Sequence, residues 1–213
     1  MRPARRLLPG FLTWAQQQQH LPAALTVRPT PAGQLGAVQG ADQRWHLARK
    51  LLHDDTLPAP DRVAGLLVLL YGQTLSRITR LRRADVTTND AGDAVQLRLG
   101  TDAIQLAEPL GALLAHLPID ITTGTARSLS AAEREQWLFP GRRPGRPVHP
   151  TTLAKRVREL GLEVRPARNS ALLHLAEHLP ARVLADLLGL HIVTAERWNA
   201  AAGARWMNYA GDH

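Results

Sequence analysis

The chain contains no cysteine, which excludes disulfide bridges and thiolate metal sites and accords with a reducing compartment. Aromatic residues supply only 4% of its 213 positions, so a core must be assembled from Leu, Val and Ala. No apolar run approaches the ~18–20 residues that span a bilayer. The longest, around 64–71, is short and carries Gly65. The opening MRPARRLLPGFLTWAQQQQ is basic at first but has no sustained apolar stretch and no small-residue cleavage site. Neither a signal peptide nor a membrane anchor is therefore expected. Lysine is scarce too, since Lys50 and Lys155 are the only two.

What remains is arginine. It carries nearly all of the cationic charge behind a formal net of +8. High-GC coding raises Arg and Ala together, so abundance alone carries little meaning. The guanidinium fork nonetheless donates in two directions at once and suits phosphate. The densest region is PGRRPGRPVHP (140–150), a Pro-stiffened loop with Arg142, Arg143 and Arg146. A helix follows over 151–160, carrying Lys155, Arg156 and Arg158.

The pattern along the chain divides into a helical arm over 1–25, a Pro- and Gly-rich linker over 26–41, and a main domain over 42–213. Within that domain, periodicity predicts helices at 41–53 and at 61–70 with Asp61 as N-cap, and a short one at 75–81. AVQLRLGTDAIQL (94–106) alternates on both sides of Gly100-Thr101-Asp102 and predicts a β-hairpin. Further helices are expected at 108–117, 130–136, 151–160, 167–178, 181–188, 194–202 and 204–210, with a strand-like Trp137-Leu138-Phe139.

Several motifs can be weighed for chemistry. Asp54-Asp55 after His53 lacks a partner at metal-ligand spacing and reads as a solvated helix end. His174 and His178 stand at i,i+4, but no Glu follows the first His and no third ligand is evident, so no metal is assigned. Gly-rich phosphate loops and nucleophile elbows are missing from the sequence, and no cofactor is expected. LADLLGLHIVTAERW (184–198) fits a helix-turn-helix: Gly189 permits the turn, Thr194 can cap the second helix, and Glu196, Arg197 and Asn199 would face a groove. An ordinary helical hairpin in a core gives the same pattern.

The order of these segments resembles the catalytic domain of tyrosine recombinases, the Xer-type and phage-integrase family. YGQTLSRITRLRRADV (71–86) is similar to that family's Thr-Gly-Leu-Arg-x-Ser-Glu-Leu segment, and the 94–106 hairpin followed by Glu108-Pro109-Leu110 to its hairpin and following helix. LFPGRRPGRPVHPTTLAKRVRELGL (138–162) and the run from Arg165 to Gly189 resemble the stretch that carries the H-x-x-R helix down to Leu-Leu-Gly-His. The resemblance covers about 42–198, and its ordered succession is more specific than any one motif. It implies a mainly α fold with a small antiparallel β element. It also implies attack of a Tyr hydroxyl on a phosphodiester inside a cage of two arginines and further donors.

Matched residue by residue, that cage is largely replaced. Thr74 stands where the first arginine belongs, with Arg77 three residues on where the family has Glu. The hairpin holds Arg98 and no Lys. Arg168 matches the second arginine, Arg165 replaces the His of H-x-x-R, and His191 falls one residue late after Leu-Leu-Gly. Trp198-Asn199 occupies the place of the nucleophile, and Tyr209 is the nearest candidate for that role. The expectation is a DNA-binding, recombinase-like protein of DNA recombination or integration with impaired or no strand cleavage. Arg77, Arg98, Arg142, Arg143, Arg146, Lys155, Arg156, Arg182 and Arg197 are its candidate DNA contacts. Its expected partners are double-stranded DNA and a second copy or partner recombinase, in the cytoplasm at the nucleoid, with no membrane and no small-molecule cofactor. The alternative is a helix-turn-helix transcriptional regulator reading DNA through 184–199.

Overall fold

A computed structural model describes residues 36–117, 137–143 and 145–211, with side chains as far as Gly203. The predicted arm over 1–25 and the helix at 130–136 lie outside the described residues. The described part belongs to one compact unit that begins at Leu35.

Eight α-helices are described. α1 is Ala41–His53, α2 Ala59–Tyr71, α3 Leu75–Ile78, α4 Leu110–Ala115, α5 Pro150–Glu159, α6 Val164–His178, α7 Ala181–Leu188 and α8 Ile192–Gly211. Three short strands, β1 (Val86–Thr88), β2 (Val95–Arg98) and β3 (Ala103–Gln105), form an antiparallel sheet in the order β1-β2-β3. Val86 pairs with Leu97, and Leu97 in turn with Ile104, so the predicted hairpin is extended by one strand on its outer edge. The fold class is therefore mainly α with a small antiparallel sheet, as the sequence indicated.

α2 is the central element. Residues 61 to 69 are all buried, because α1, α4, α5 and α6 pack around it, and a helix apolar on every side is stable only when enclosed. Leucine dominates the fully buried positions, among them Leu51, Leu66, Leu67, Leu69, Leu153, Leu172 and Leu184, as the scarcity of aromatics requires.

Buried arginines tie the helices at their ends. Arg62 donates to the Leu51 carbonyl at 2.7 Å and the Leu52 carbonyl at 2.6 Å, and pairs with Asp55 at 2.6 Å. The last carbonyls of α1 have no helical partners, and a guanidinium satisfies two of them while complementing the helix dipole.

Three expectations need correction. Asp61 is not an N-cap: α2 starts two residues earlier, behind Pro58, and Asp61 is buried in its first turn, 2.6 Å from Arg156. That contact is ionic rather than a well-aligned hydrogen bond. Thr194 does not cap the last helix, which begins at Ile192 with the His191 ring accepting from the Val193 N–H at 3.3 Å. The separate helices at 194–202 and 204–210 are one helix, α8, running through Gly203. A glycine in a helix costs about 1 kcal/mol relative to Ala, and the Ala-rich flanks carry α8 across it.

Candidate nucleic-acid interface

Four segments meet near the C-terminal end of α2. Gly72 ends that helix in the left-handed region (φ 58°), and a Cβ there would overlap the Leu172 side chain and stand 3.4 Å from the Arg168 carbonyl. The turn Gly72–Thr74 is thereby seated on α6 at Arg168. Gln73 is buried and donates to the Leu188 carbonyl at 3.3 Å, which draws the α7–α8 turn to the same place. The hairpin joins through the Thr101 N–H, 2.8 Å from the Asp186 carbonyl. Segments far apart in sequence, 72–77, 99–101, α6 at Arg168 and 186–189, thus meet at one junction.

Arg77 is the pin of this junction. Its Nη1 donates to the carbonyls of Leu188 and Gly189, both at 2.7 Å, and its Nη2 to that of Leu99 at 2.6 Å. Gly189 adopts φ 62°, and a Cβ on it would run into the Arg77 guanidinium. Three of the five N–H donors of an arginine are committed to main chain. Arg77, expected as a DNA contact, is in this structure a structural staple between the hairpin and the α7–α8 turn.

Arg168 behaves differently. It is half-buried on α6, its Nε is buried without an acceptor, and no hydrogen bond or ion pair engages it among the described residues. Burial pushes its guanidinium below the usual arginine range, and the nearby positive charge of Arg77 pushes further the same way. Arg77 itself is lowered by burial. Two partly desolvated cations sharing one neighbourhood, with no carboxylate acting on either among the described residues, present an unmet demand for an anion.

The other candidates separate clearly. Arg165, one turn earlier on α6, is exposed, with its guanidinium beside Gly36. His191 is exposed, and its Nδ1 accepts from the Val193 N–H at the start of α8. Arg156 is held by Asp61, and Arg182 by Asp186 at 2.9 Å. Lys155 lies 4.0 Å from Glu159, an exposed and weak pair. Asn199 is not available to a groove: its Nδ2 donates to the Leu179 carbonyl at 2.8 Å and the Ala176 carbonyl at 3.3 Å, closing the end of α6. Trp198 is buried in the core. Arg98 and Arg197 are exposed, with no ion pair among the described residues.

The basic loop is shaped rather than loose. Pro140 and Pro147 face each other in an antiparallel bridge, the Gly141 N–H reaches the Arg146 carbonyl at 2.8 Å, and Trp137 Nε1 donates to the Gly145 carbonyl at 3.1 Å. Arg142, Arg143 and Arg146 line a cavity of about 530 Å³ with His149 and Thr152. His149 is the N-cap of α5, so this basic cavity opens beside a helix N-terminus, where main-chain N–H groups favour anions.

Of the two tyrosines in the chain, Tyr209 lies on the last turns of α8, and its side chain falls outside the described residues. Tyr71 closes α2, and burial raises its hydroxyl above the usual phenol range, the reverse of what activates a nucleophile. No described helix is long and apolar enough to cross a membrane.

No protein-family model matches the sequence, and no curated protein matches it. Among solved structures, the chain is similar to XerA recombinase, with a TM-score of 0.55 and 15% identity over 98% of this chain and 76% of that one. This likeness is one of fold, and it gives the described domain a recombinase-like architecture.

Proposed function

We propose that this protein binds double-stranded DNA through its phosphates on a recombinase-type domain and does not cleave strands efficiently. The observation that carries the reading is Arg168: a half-buried guanidinium with no acceptor, beside a second cation. A phosphate supplies the charge and acceptors that this neighbourhood lacks. Arg142, Arg143 and Arg146 beside the N-terminus of α5 add a second phosphate-sized demand. Such contacts position a protein on a duplex without reading its sequence. The protein would work at the nucleoid, alone or with a partner recombinase.

Cleavage requires more than this. The position of the first cage arginine is the uncharged Thr74, no lysine stands on the hairpin, and Arg77 is bound to carbonyls. Removal of one such donor costs ~10²–10³ in rate. Weak activity through Tyr209 is the measurable exception.

The test is binding and trapping on the same duplexes. Fluorescence anisotropy on a mixed-sequence duplex is expected to show affinity that falls steeply with salt and is weakened by Arg168→Ala. A nicked suicide duplex is expected to yield no covalent adduct. Salt-independent binding, or binding indifferent to Arg168, would overturn the DNA reading. An adduct lost in Tyr209→Phe would overturn the loss of cleavage. The regulator alternative keeps exposed Glu196 and Arg197 on α8 but loses Asn199 to the core. It requires Arg197→Ala to relax sequence preference.

A further inference from the structure

We propose that His174, Glu177 and His178, on the face of α6 turned toward α1, form a binding site for a divalent transition-metal ion of the zinc class. Their spacing of i, i+3 and i+4 puts three donors on one helical face. One ligand atom from each lies within 4.8 Å of the other two. Tetrahedral zinc with bonds of ~2.0–2.1 Å holds its donors roughly 3.4 Å apart. Closing the set takes side-chain rotations and no movement of the helix. Imidazole and carboxylate together suit zinc, nickel or copper rather than magnesium or calcium.

The protonation states favour ligation. The His178 Nδ1 stands 2.9 Å from the His174 carbonyl, which can only accept, so Nδ1 carries the proton and Nε2 presents its lone pair. A ligating histidine is usually oriented in this way, by a second hydrogen bond to a carbonyl or carboxylate. Nδ1 of His174 lies 3.7 Å from Oε2 of Glu177, so these two donors already face each other beside Arg44. The Arg44 cation opposes a bound cation. The Glu177 carboxylate offsets it, and Arg44 is engaged with the Leu69 carbonyl at 3.2 Å and stacked 4.7 Å above the Trp45 ring.

A second observation points to a ligand at the same place. His174 and Glu177 line a cavity of about 370 Å³ with Gln39, Arg44 and Ser170. Gln39 is 9% exposed, and its Oε1 is buried with no hydrogen-bond donor. Three protein ligands leave a zinc ion a fourth position for water, and a metal-bound water is a donor of the kind Gln39 lacks. Gln39 also belongs to the segment 36–40, which Ser170 and Asn169 hold against α6 through the Gln39 and Ala37 carbonyls at 2.7 and 3.1 Å. An ion here would brace that segment against the helix that carries Arg165 and Arg168.

The test uses the full chain freed of metal by chelator and titrated with zinc and with cobalt(II). Expected are one equivalent bound, cobalt d–d bands of a four- or five-coordinate ion, and a higher Tm with zinc. His178 is exposed, so His178→Ala folds, and its affinity should fall by more than the ~10–100-fold that losing an outer-shell partner costs. Glu177→Gln should weaken binding and alter the cobalt spectrum. The absence of a one-to-one complex, a six-coordinate cobalt spectrum, or affinity indifferent to both variants would overturn the proposal. The last of these would place the ion on other histidines of the chain.

Discussion

Replacing Arg168 with Met separates a structural arginine from a ligand-binding one, because the two roles predict opposite signs. In the folded protein the Arg168 Nε is buried without an acceptor, and a buried unsatisfied donor costs ~1–3 kcal/mol. The residue keeps partial contact with solvent, so the lower end of that range applies. Met keeps the unbranched stem and its packing while removing the charge and its repulsion from Arg77. The variant should gain about 1 kcal/mol, which for a chain of this size raises Tm by roughly 2–4 °C. DNA affinity should move the other way, by ~10-fold or more at 0.1 M salt, and the slope of log affinity on log salt should shrink by about 1. Thermal unfolding and anisotropy titrations at three salt concentrations measure both. Loss of more than 1 kcal/mol with unchanged DNA affinity would make Arg168 an ordinary packing residue and refute the reasoning.

Arg77→Ala should show the converse, since it strands the carbonyls of Leu188, Gly189 and Leu99; with some re-solvation of the exposed turn, about 2–4 kcal/mol is lost in urea unfolding. Arg156→Ala leaves the Asp61 carboxylate buried and unpaired, and should cost ~2–3 kcal/mol by the same measurement, below the ~3–5 of a fully buried pair because Arg156 is partly exposed. The triple change of Arg142, Arg143 and Arg146 to Gln should leave Tm within about 1 °C and lower the salt slope of DNA binding by up to ~0.9 for each phosphate no longer neutralised. The depressed His174 means the unfolded chain binds the extra proton first, so its contribution is complete above the unfolded histidine value of ~6.5 and fades as pH falls toward the folded one. The stability of the unmodified chain should therefore drop more steeply between about pH 7 and 5 than that of His174→Gln.

The helices and the hairpin were legible in the sequence because their apolar periods match their burial. α7 is an example: Leu184, Ala185 and Leu188 form one buried stripe, and Gly189 closes it. What escaped was anything set by a partner distant in sequence. Asp61 has the composition of a cap, but Arg156 draws it inward. Asn199 has the look of a groove reader, yet two free carbonyls at the end of α6 claim it. The third metal donor was in plain view as H-x-x-E-H at 174–178, with Glu beside the second histidine rather than the first. Helical geometry places that Glu on the same face in either order.

On the family resemblance, charge is exchanged between positions 74 and 77, and for the proposed function this matters more than any missing group taken singly. Where the resemblance expects a carboxylate at position 77, three main-chain carbonyls point at the side chain. A carboxylate can only accept, and so can a carbonyl, so Glu at this position would face three oxygens it could not bond. Arg77 and the carbonyl arrangement therefore belong together, and the junction of α3, the hairpin and the α7–α8 turn is built around a cation. With the cation at 77, position 74 is a neutral Thr just before α3, at the point where the Gly72 turn sits on Arg168. Restoring arginine there by Thr74→Arg would set a third positive charge beside Arg77 and Arg168. Each of those two is already lowered in pKa by its surroundings, so the triple cluster would be stable only with an anion in place. Among the described residues this cluster keeps one unpartnered guanidinium, Arg168, which on the proposed function holds a phosphate and is too little to stabilise a pentavalent one.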